Sequence, residues 1–503
     1  MLSQRLGNKV LLLLVILLAV SVRWIVAIEN KVGLQTLPRF EWAELPKEIA
    51  PKVGEVKFGY LTIPENRSDS NNSKVIKLPV MIAKSRSKNP RPDPIIFTVG
   101  GPGVITTLGG GRDLSQLRFL DERDFIYFEQ RGAKYSIPTL IGPEIDSVMI
   151  DAIDKNLNGK PDDSEVVKAA TKLKARLLSE GIDLTAYSTR ESAADIEDLR
   201  KALKIEKWNL YGISYGCRLM LEVMRNYPEG IRSVILDSPL PPDVGWDETS
   251  MERYWNNLHK LFASCRDDSV INLRYPNLES RFLYLIEEAD NNPIGVQVEH
   301  PISNQLITVK LNGEGIFLLA ANYMGNGSYI YSFPYSMNLI CEKNPEILSY
   351  LLKGLIAPPP FAWGMVYSIW CNEEFPFEDF DRFHKHKDLP KQLAGISMTI
   401  MPEEIFDFWP RRTPDPVDNQ PVKSELPVLV TNGQYDPDTP PEWGKRVCQT
   451  LPNVQYLEFP GQSHLPLFNH PCGPAMAVEF FNNPDKKLDT GCLEKYPFRF
   501  YSE

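Results

Sequence analysis

The sequence predicts an α/β protein: a mostly parallel sheet with flanking helices and an inserted, mainly helical cap. Three observations carry this. Short apolar runs that read as buried strands alternate with stretches whose apolar residues recur at i, i+3 and i+4. Strand–helix alternation of this kind yields parallel strands, because each return to the sheet crosses over through a helix. The rhythm breaks from about 241 to 420, a segment rich in Trp, Tyr, Phe and Pro that ends in the proline-laden Pro410–Pro427. With 43% hydrophobic and 24% charged residues, the composition is that of a globular protein and excludes disorder and coiled coil.

Taken in order, the chain opens with Arg5 and Lys9 before a nearly unbroken Leu, Val, Ile and Ala run, Val10 to Val22. This is the pattern of a secretory signal, with small residues suited to cleavage near Ala19–Ser21 and at Ala27. The competing reading is an uncleaved anchor, since Val10–Ile28 is almost long enough to span a bilayer, although Arg23 interrupts it. Either reading places the body outside the cytosol. The strands expected next are Ile95–Val99, Phe125–Phe128, Trp208–Tyr211, Ser233–Leu236, Val428–Thr431 and Val454–Phe459, with helices such as Ser192–Leu203 and Arg218–Asn226 between them. The 503 residues therefore divide into a signal peptide or anchor (1–27), the first part of the sheet core (30–240), the cap (241–420) and the rest of the core (421–503).

Seven cysteines (Cys217, Cys265, Cys341, Cys371, Cys448, Cys472 and Cys492) suit an oxidising compartment, and their odd number leaves at least one thiol unpaired. None has zinc-ligand spacing. The 42 prolines, about 8% of the chain against the ~5% of average usage, predict many defined loops. A net charge of −10 without a run of lysine or arginine argues against a nucleic-acid partner, and membrane contact is expected only through an uncleaved N-terminal segment.

The strongest chemical motif is Gly212-Ile-Ser-Tyr-Gly216, which follows the strand Trp208–Tyr211 and opens a helix. A serine on such a tight strand-to-helix turn is a nucleophile elbow, and the helix N-terminus directs amides and positive dipole at developing negative charge. Ser214 then needs a base, and the base an orienting carboxylate. Asp436 lies in the loop after Val428–Thr431, and His464 in the loop after Val454–Phe459, where sites of open α/β sheets collect. Asp438 and His470 are the alternatives for acid and base. After the strand Ile95–Val99, the run Val99-Gly-Gly-Pro-Gly103 lets backbone amides approach a substrate, so the amides of Gly101 and Tyr215 are the expected oxyanion donors. The loop lacks G-x-G-x-x-G and GK[ST], so no nucleotide site is expected.

GGPG at 100–103, EQRG at 129–132, GISYG at 212–216, DPDTP around Asp436 and GQSH ending at His464 occur in that order. Together they resemble the α/β-hydrolase exopeptidases, the prolyl aminopeptidases and secreted tripeptidyl aminopeptidases, most closely the latter with their C-terminal segment. The resemblance runs from Gly59-Tyr-Leu-Thr-Ile-Pro64 to Cys492, with two departures: Val99 stands where these enzymes usually have histidine, and EQRG replaces DQRG. It implies an α/β-hydrolase fold with Ser214, Asp436 and His464 as triad, no cofactor, and a peptide substrate with a free N-terminus. It also implies that a cap carboxylate grips the substrate amine, for which Glu373 and Glu374 are the candidates; a solvated acidic pair is the alternative reading. The cap aromatics Trp363, Tyr367, Trp370 and Phe375 are candidates for a proline-accepting pocket, or for core.

Two further patterns remain. Asp154, Asn156, Asn158 and Glu165 match calcium-loop spacing, against which Pro161 occupies a position that is usually apolar. Asn66, Asn71 and Asn326 head N-x-S sequons. The sequence thus leads to an exported serine exopeptidase that releases N-terminal proline or short peptides. A carboxylesterase of the same fold is the alternative, and a non-catalytic binding protein the remote one.

Overall fold

The computed structural model describes residues 37–501 apart from 70–73, 107–112, 154, 156, 326, 358–360, 385–388 and 399–400. The expected signal or anchor therefore lies outside the described residues. Among those described, no helix is long and apolar enough to cross a membrane.

Eleven strands are described: β1 (Arg39–Ala43), β2 (Val56–Pro64), β3 (Val75–Ala83), β4 (Ile95–Thr98), β5 (Phe125–Phe128), β6 (Trp208–Ile213), β7 (Ile231–Asp237), β8 (Ile294–Glu299), β9 (Leu306–Leu311), β10 (Val428–Gly433) and β11 (Val454–Phe459). Nine form one sheet in the order β1-β2-β3-β5-β4-β6-β7-β10-β11. From β5 to β11 all neighbours are parallel, whereas β1, β2, β3 and β5 pair antiparallel. The first three strands precede those read from the sequence. Gly59 and Pro79 sit inside β2 and β3 and weaken their strand signal, because glycine leaves no side chain to pack and proline cannot donate to the ladder.

The parallel strands read as continuous apolar runs because both faces of the sheet are covered. Ile96, Leu210, Val234, Leu236, Val428 and Val430 pack to one side, against Leu219, Met220 and Val223 of the helix Tyr215–Asn226. Ile95, Phe97, Tyr211, Ile235 and Leu429 alternate to the other side, against Phe480 and Phe481.

Between β7 and β10 the chain leaves the sheet and builds a largely helical layer with its own core, in which Trp255, Phe262, Phe282, Phe317 and Phe333 are buried. It is not wholly helical: β8 and β9 form an antiparallel hairpin. A second apolar cluster, including Tyr187, Tyr215, Trp363, Tyr367 and Trp409, joins this layer to the sheet beside the Gly212–Gly216 turn. One disulfide, Cys472–Cys492, closes the C-terminal segment.

Candidate active site

Ser214 follows β6 directly, with φ 58° and ψ −124°. A serine in that region is strained and stays there only because its surroundings over-determine it. The constraint is visible at Gly216, where a Cβ would stand 2.6 Å from the carbonyl oxygen of Thr98. Only glycine lets the helix Tyr215–Asn226 pack so close to the end of β4. Ser214 heads that helix without capping it, which leaves its hydroxyl for other work.

The glycine loop after β4 lies against this turn. A Cβ on Gly100 would approach Ser214 Cβ to 2.6 Å, Ser214 Oγ to 2.9 Å and the Tyr215 nitrogen to 2.9 Å. The loop backbone and the first amide of the helix therefore flank the serine together. The motif at 129–132 braces the loop from β5. Gln130 Nε2 donates to Val99 O and to Thr98 Oγ1, both at 3.0 Å, and Glu129 Oε2 accepts from Thr106 N at 2.9 Å. Arg131 is buried and forks onto Asp195 at 2.7 and 2.8 Å.

His464 Nδ1 stands 2.8 Å from Asp436 Oδ2. The Asp436 carboxylate is fully buried but well supplied with donors: Oδ1 accepts from Asp438 N (2.9 Å) and Thr439 N (3.0 Å), and Oδ2 from Thr439 Oγ1 (2.9 Å). Burial raises its pKa, but His464 and the Thr439 donors outweigh that and hold it below the usual carboxylate range. Burial works to lower His464, but the charge of Asp436 and the bond to it, followed by Asp438 and Asp237, lift it to about 9.

Neither alternative from the sequence is placed this way. Asp438 accepts from Tyr254 OH. His470 is buried between Phe459 and Tyr496, and its Nδ1 accepts from Cys472 N at 3.2 Å.

Ser214 and His464 line one cavity of about 410 Å³. Gly100 and Gly101 form part of its wall, Val104, Phe361, Val366 and Met401 make it apolar, and Asp247 and Asp438 also border it. Of the four cap aromatics only Trp370 lines this cavity; Trp363, Tyr367 and Phe375 are buried in the cluster behind.

Glu373 and Glu374 depart from both readings of the sequence. They are 3% and 2% exposed, so they are not a solvated pair, and neither lines the cavity. Glu374 is ion-paired with Arg218. Glu373 Oε1 accepts from Thr189 N at 2.6 Å, and Thr189 Oγ1 in turn meets Tyr215 OH at 2.7 Å. Burial pushes the Glu373 carboxyl up, against the pull of Arg218 and Arg412. These carboxylates buttress the helix that Ser214 heads. Their positions depend on a cap helix, Trp363–Glu373, folding onto residues more than 150 positions earlier, which local sequence does not encode.

Of the calcium-loop candidates, two lie among the described residues. Asp154 and Asn156 lie outside the described residues. Asn158 Oδ1 accepts from Asn312 N at 3.2 Å and its Nδ2 donates to Glu314 Oε2 at 3.0 Å, so its carboxamide ties the loop to the cap. Glu165 is exposed in the first turn of the helix Asp163–Ser179. Of the sequon asparagines, Asn66 donates to Asp183 at 2.7 Å, while Asn71 and Asn326 lie outside the described residues.

Residues that sequence reasoning missed include Thr439, whose place two residues after the aspartate–proline step suits a local turn onto Asp436, and Arg253. The Arg253 guanidinium donates to Pro437 O (2.6 Å), Asp438 O (2.8 Å) and Trp246 O (2.7 Å), and lies between the rings of Trp246 and Trp443. No local pattern marks it.

Comparison with known proteins agrees with this geometry. Residues 94–264 match the alpha/beta hydrolase fold family, and residues 393–492 match a family described as TAP-like protein. A tripeptidyl aminopeptidase of Streptomyces coelicolor is 25% identical over 228 residues, 42% of this chain and 39% of that protein. The putative hydrolase YuaR of Escherichia coli is 22% identical over 458 residues, covering 81% of this chain and 87% of its own. A proline iminopeptidase of Xylella fastidiosa is 27% identical over 150 residues, 29% of this chain and 33% of that protein. The chain thus spans about two fifths of the length of the tripeptidyl aminopeptidases it matches. Asp436 and His464 both fall within the TAP-like match, and Ser214 within the other, so the chain has an α/β-hydrolase fold with a TAP-like C-terminal segment and is similar to tripeptidyl aminopeptidases and a proline iminopeptidase.

Proposed function

We propose that this protein is an exported serine exopeptidase acting on peptides with a free N-terminus. The observation that carries the reading is the Asp436–His464 hydrogen bond of 2.8 Å opening onto the cavity that Ser214 lines. Ser214 Oγ attacks the scissile carbonyl carbon and passes its proton to Nε2 of His464; Asp436 holds the imidazole by Nδ1–H and stabilises the imidazolium. The amides of Tyr215 and Gly101 receive the oxyanion. His464 then protonates the leaving amine, and water attacks the acyl-enzyme by the same route in reverse.

The amine-facing groups in this reading are the cavity carboxylates Asp247 and Asp438, which replace Glu373 and Glu374 in that role. The similarity to tripeptidyl aminopeptidases supports a peptide substrate. The N-terminal apolar run supports export, and the Cys472–Cys492 disulfide is compatible with it. The apolar wall of Val104, Phe361, Val366 and Met401 favours a second reading, a carboxylesterase, since the same triad cleaves esters and the pocket decides.

The test is chromophore release by the full chain from a prolyl anilide, a free-amine tripeptidyl anilide and a short-chain nitrophenyl ester, each with Ser214→Ala as control. Anilide cleavage that disappears when the substrate is N-acetylated is expected. Ester cleavage alone, lost in Ser214→Ala, makes the protein an esterase. No turnover together with no fluorophosphonate labelling of Ser214 sinks both enzymatic readings.

A further inference from the structure

Beneath the site, at the end of β7, lie two buried residues that the reaction scheme leaves unused, Asp237 and Ser238. Their main chain binds the nucleophile turn: Ser214 N donates to Asp237 O at 3.1 Å, and Leu240 N reaches Ser214 O at 3.4 Å. Ser238 turns the chain at φ 58° and donates its own amide to Thr431 O at 2.8 Å, on the strand that leads to Asp436.

Their side chains face the histidine loop. Ser238 Oγ accepts from Leu465 N at 3.1 Å. The Asp237 carboxylate accepts from Thr431 Oγ1 at 2.7 Å, from Tyr211 OH at 3.4 Å and from the amide of Leu467. Leu465 and Leu467 are the first and third residues after His464, so this one turn is bonded to the nucleophile residue and, at two points, to the chain that leaves the base.

We propose that Asp237 and Ser238 are positioning residues for the reacting pair: their turn sets where the imidazole stands over Ser214, and the Asp237 carboxylate biases the charge that His464 takes up. The proposal rests on Ser214 and His464 being nucleophile and base, as argued above. The charged groups facing His464 are Asp436, Asp438 and Asp237. The titratable groups facing Asp237 are His464 and, held neutral by burial, the Tyr211 phenol and the Cys217 thiol, with Thr431 and Leu467 as further donors. Burial raises the Asp237 carboxyl to about 7, opposed by Thr431, His464, Leu467 and Tyr211, so its charge changes within the range in which the enzyme would work.

The test is the rate of Ser214 phosphonylation by a fluorophosphonate as a function of pH in the full chain, which needs no knowledge of the natural substrate. An ionised Asp237 favours imidazolium, so Asp237→Asn moves the acidic limb to lower pH by about one unit. It also lowers the plateau rate about 10- to 100-fold through the loosened loop. Ser238→Ala lowers the plateau and leaves the limb in place. A fall in melting temperature with limb and plateau unmoved in Asp237→Asn overturns the proposal. If that variant does not fold, Ser238→Ala decides, and a plateau equal to that of the unaltered protein overturns it. Failure of the unaltered protein to label at Ser214 refutes the underlying reading instead.

Discussion

At the scale of single residues, the candidate chemistry depends on how a buried carboxylate remains charged. The Asp436 side chain has no exposure, yet two amides, a hydroxyl and an imidazole converge on it, so ionisation costs less than it would in an apolar pocket. The same charge holds a proton on His464, whose pKa lies near 9. A general base must be neutral to act, so kcat/KM is expected to rise with pH through neutrality, reach half its maximum at about pH 9 and level off above that. Asp436→Asn removes the charge that favours imidazolium, which moves this limb to lower pH. It also abandons the tautomer that presents Nε2 to the serine, for a loss in kcat of about 10⁴-fold. A pH–rate profile of the two proteins checks both parts; an unshifted limb contradicts the assignment of Asp436.

Among the elements, the site is assembled by braces between segments far apart in sequence. The glycine loop is held by the end of β5, and the acid loop by a helix of the cap. Arg253, on the helix Ser250–Asp267, binds the carbonyls of Pro437 and Asp438 from between two indole rings, so the cap and the loop carrying Asp436 move as one body. Lysine keeps the charge but offers a point donor in place of a planar fork. Arg253→Lys is therefore expected to destabilise the protein by about 2–3 kcal/mol in denaturant unfolding. It is also expected to lower kcat more than it raises KM, because the brace orients the acid and does not touch the cavity. A change in KM alone excludes this brace.

For the molecule as a whole, the order β6-β7-β10-β11 places four loops, those of Ser214, Ser238, Asp436 and His464, side by side at the carboxyl ends of these strands. The C-terminal segment is tied back by Cys472–Cys492, which spans 20 residues. Opening a loop of that length costs about 3 kcal/mol, mainly through the freedom returned to the unfolded chain. The pair of substitutions Cys472→Ala and Cys492→Ala should lower stability by that amount in denaturant titration and leave turnover by the folded fraction intact, since neither cysteine lines the cavity. Lost turnover at full folding places the tail within the catalytic machinery.

What the sequence determined by itself was everything with a local physical signature. The parallel strands β4 to β7 and β10 are mostly apolar runs because both their faces are buried. The Gly212–Gly216 turn is legible because close packing admits no Cβ there. Asp436 and His464 are legible because they follow strands in the order that this fold requires. Tertiary structure decided what depends on contacts between distant segments. It turned Glu373 and Glu374 inward onto Thr189 and Arg218 and gave Asn158 to the cap. It set Arg253 behind the acid loop and brought Asp237 beneath the histidine. Burial and electrostatic partners are properties of the space around a side chain, and that space is filled by residues up to hundreds of positions away.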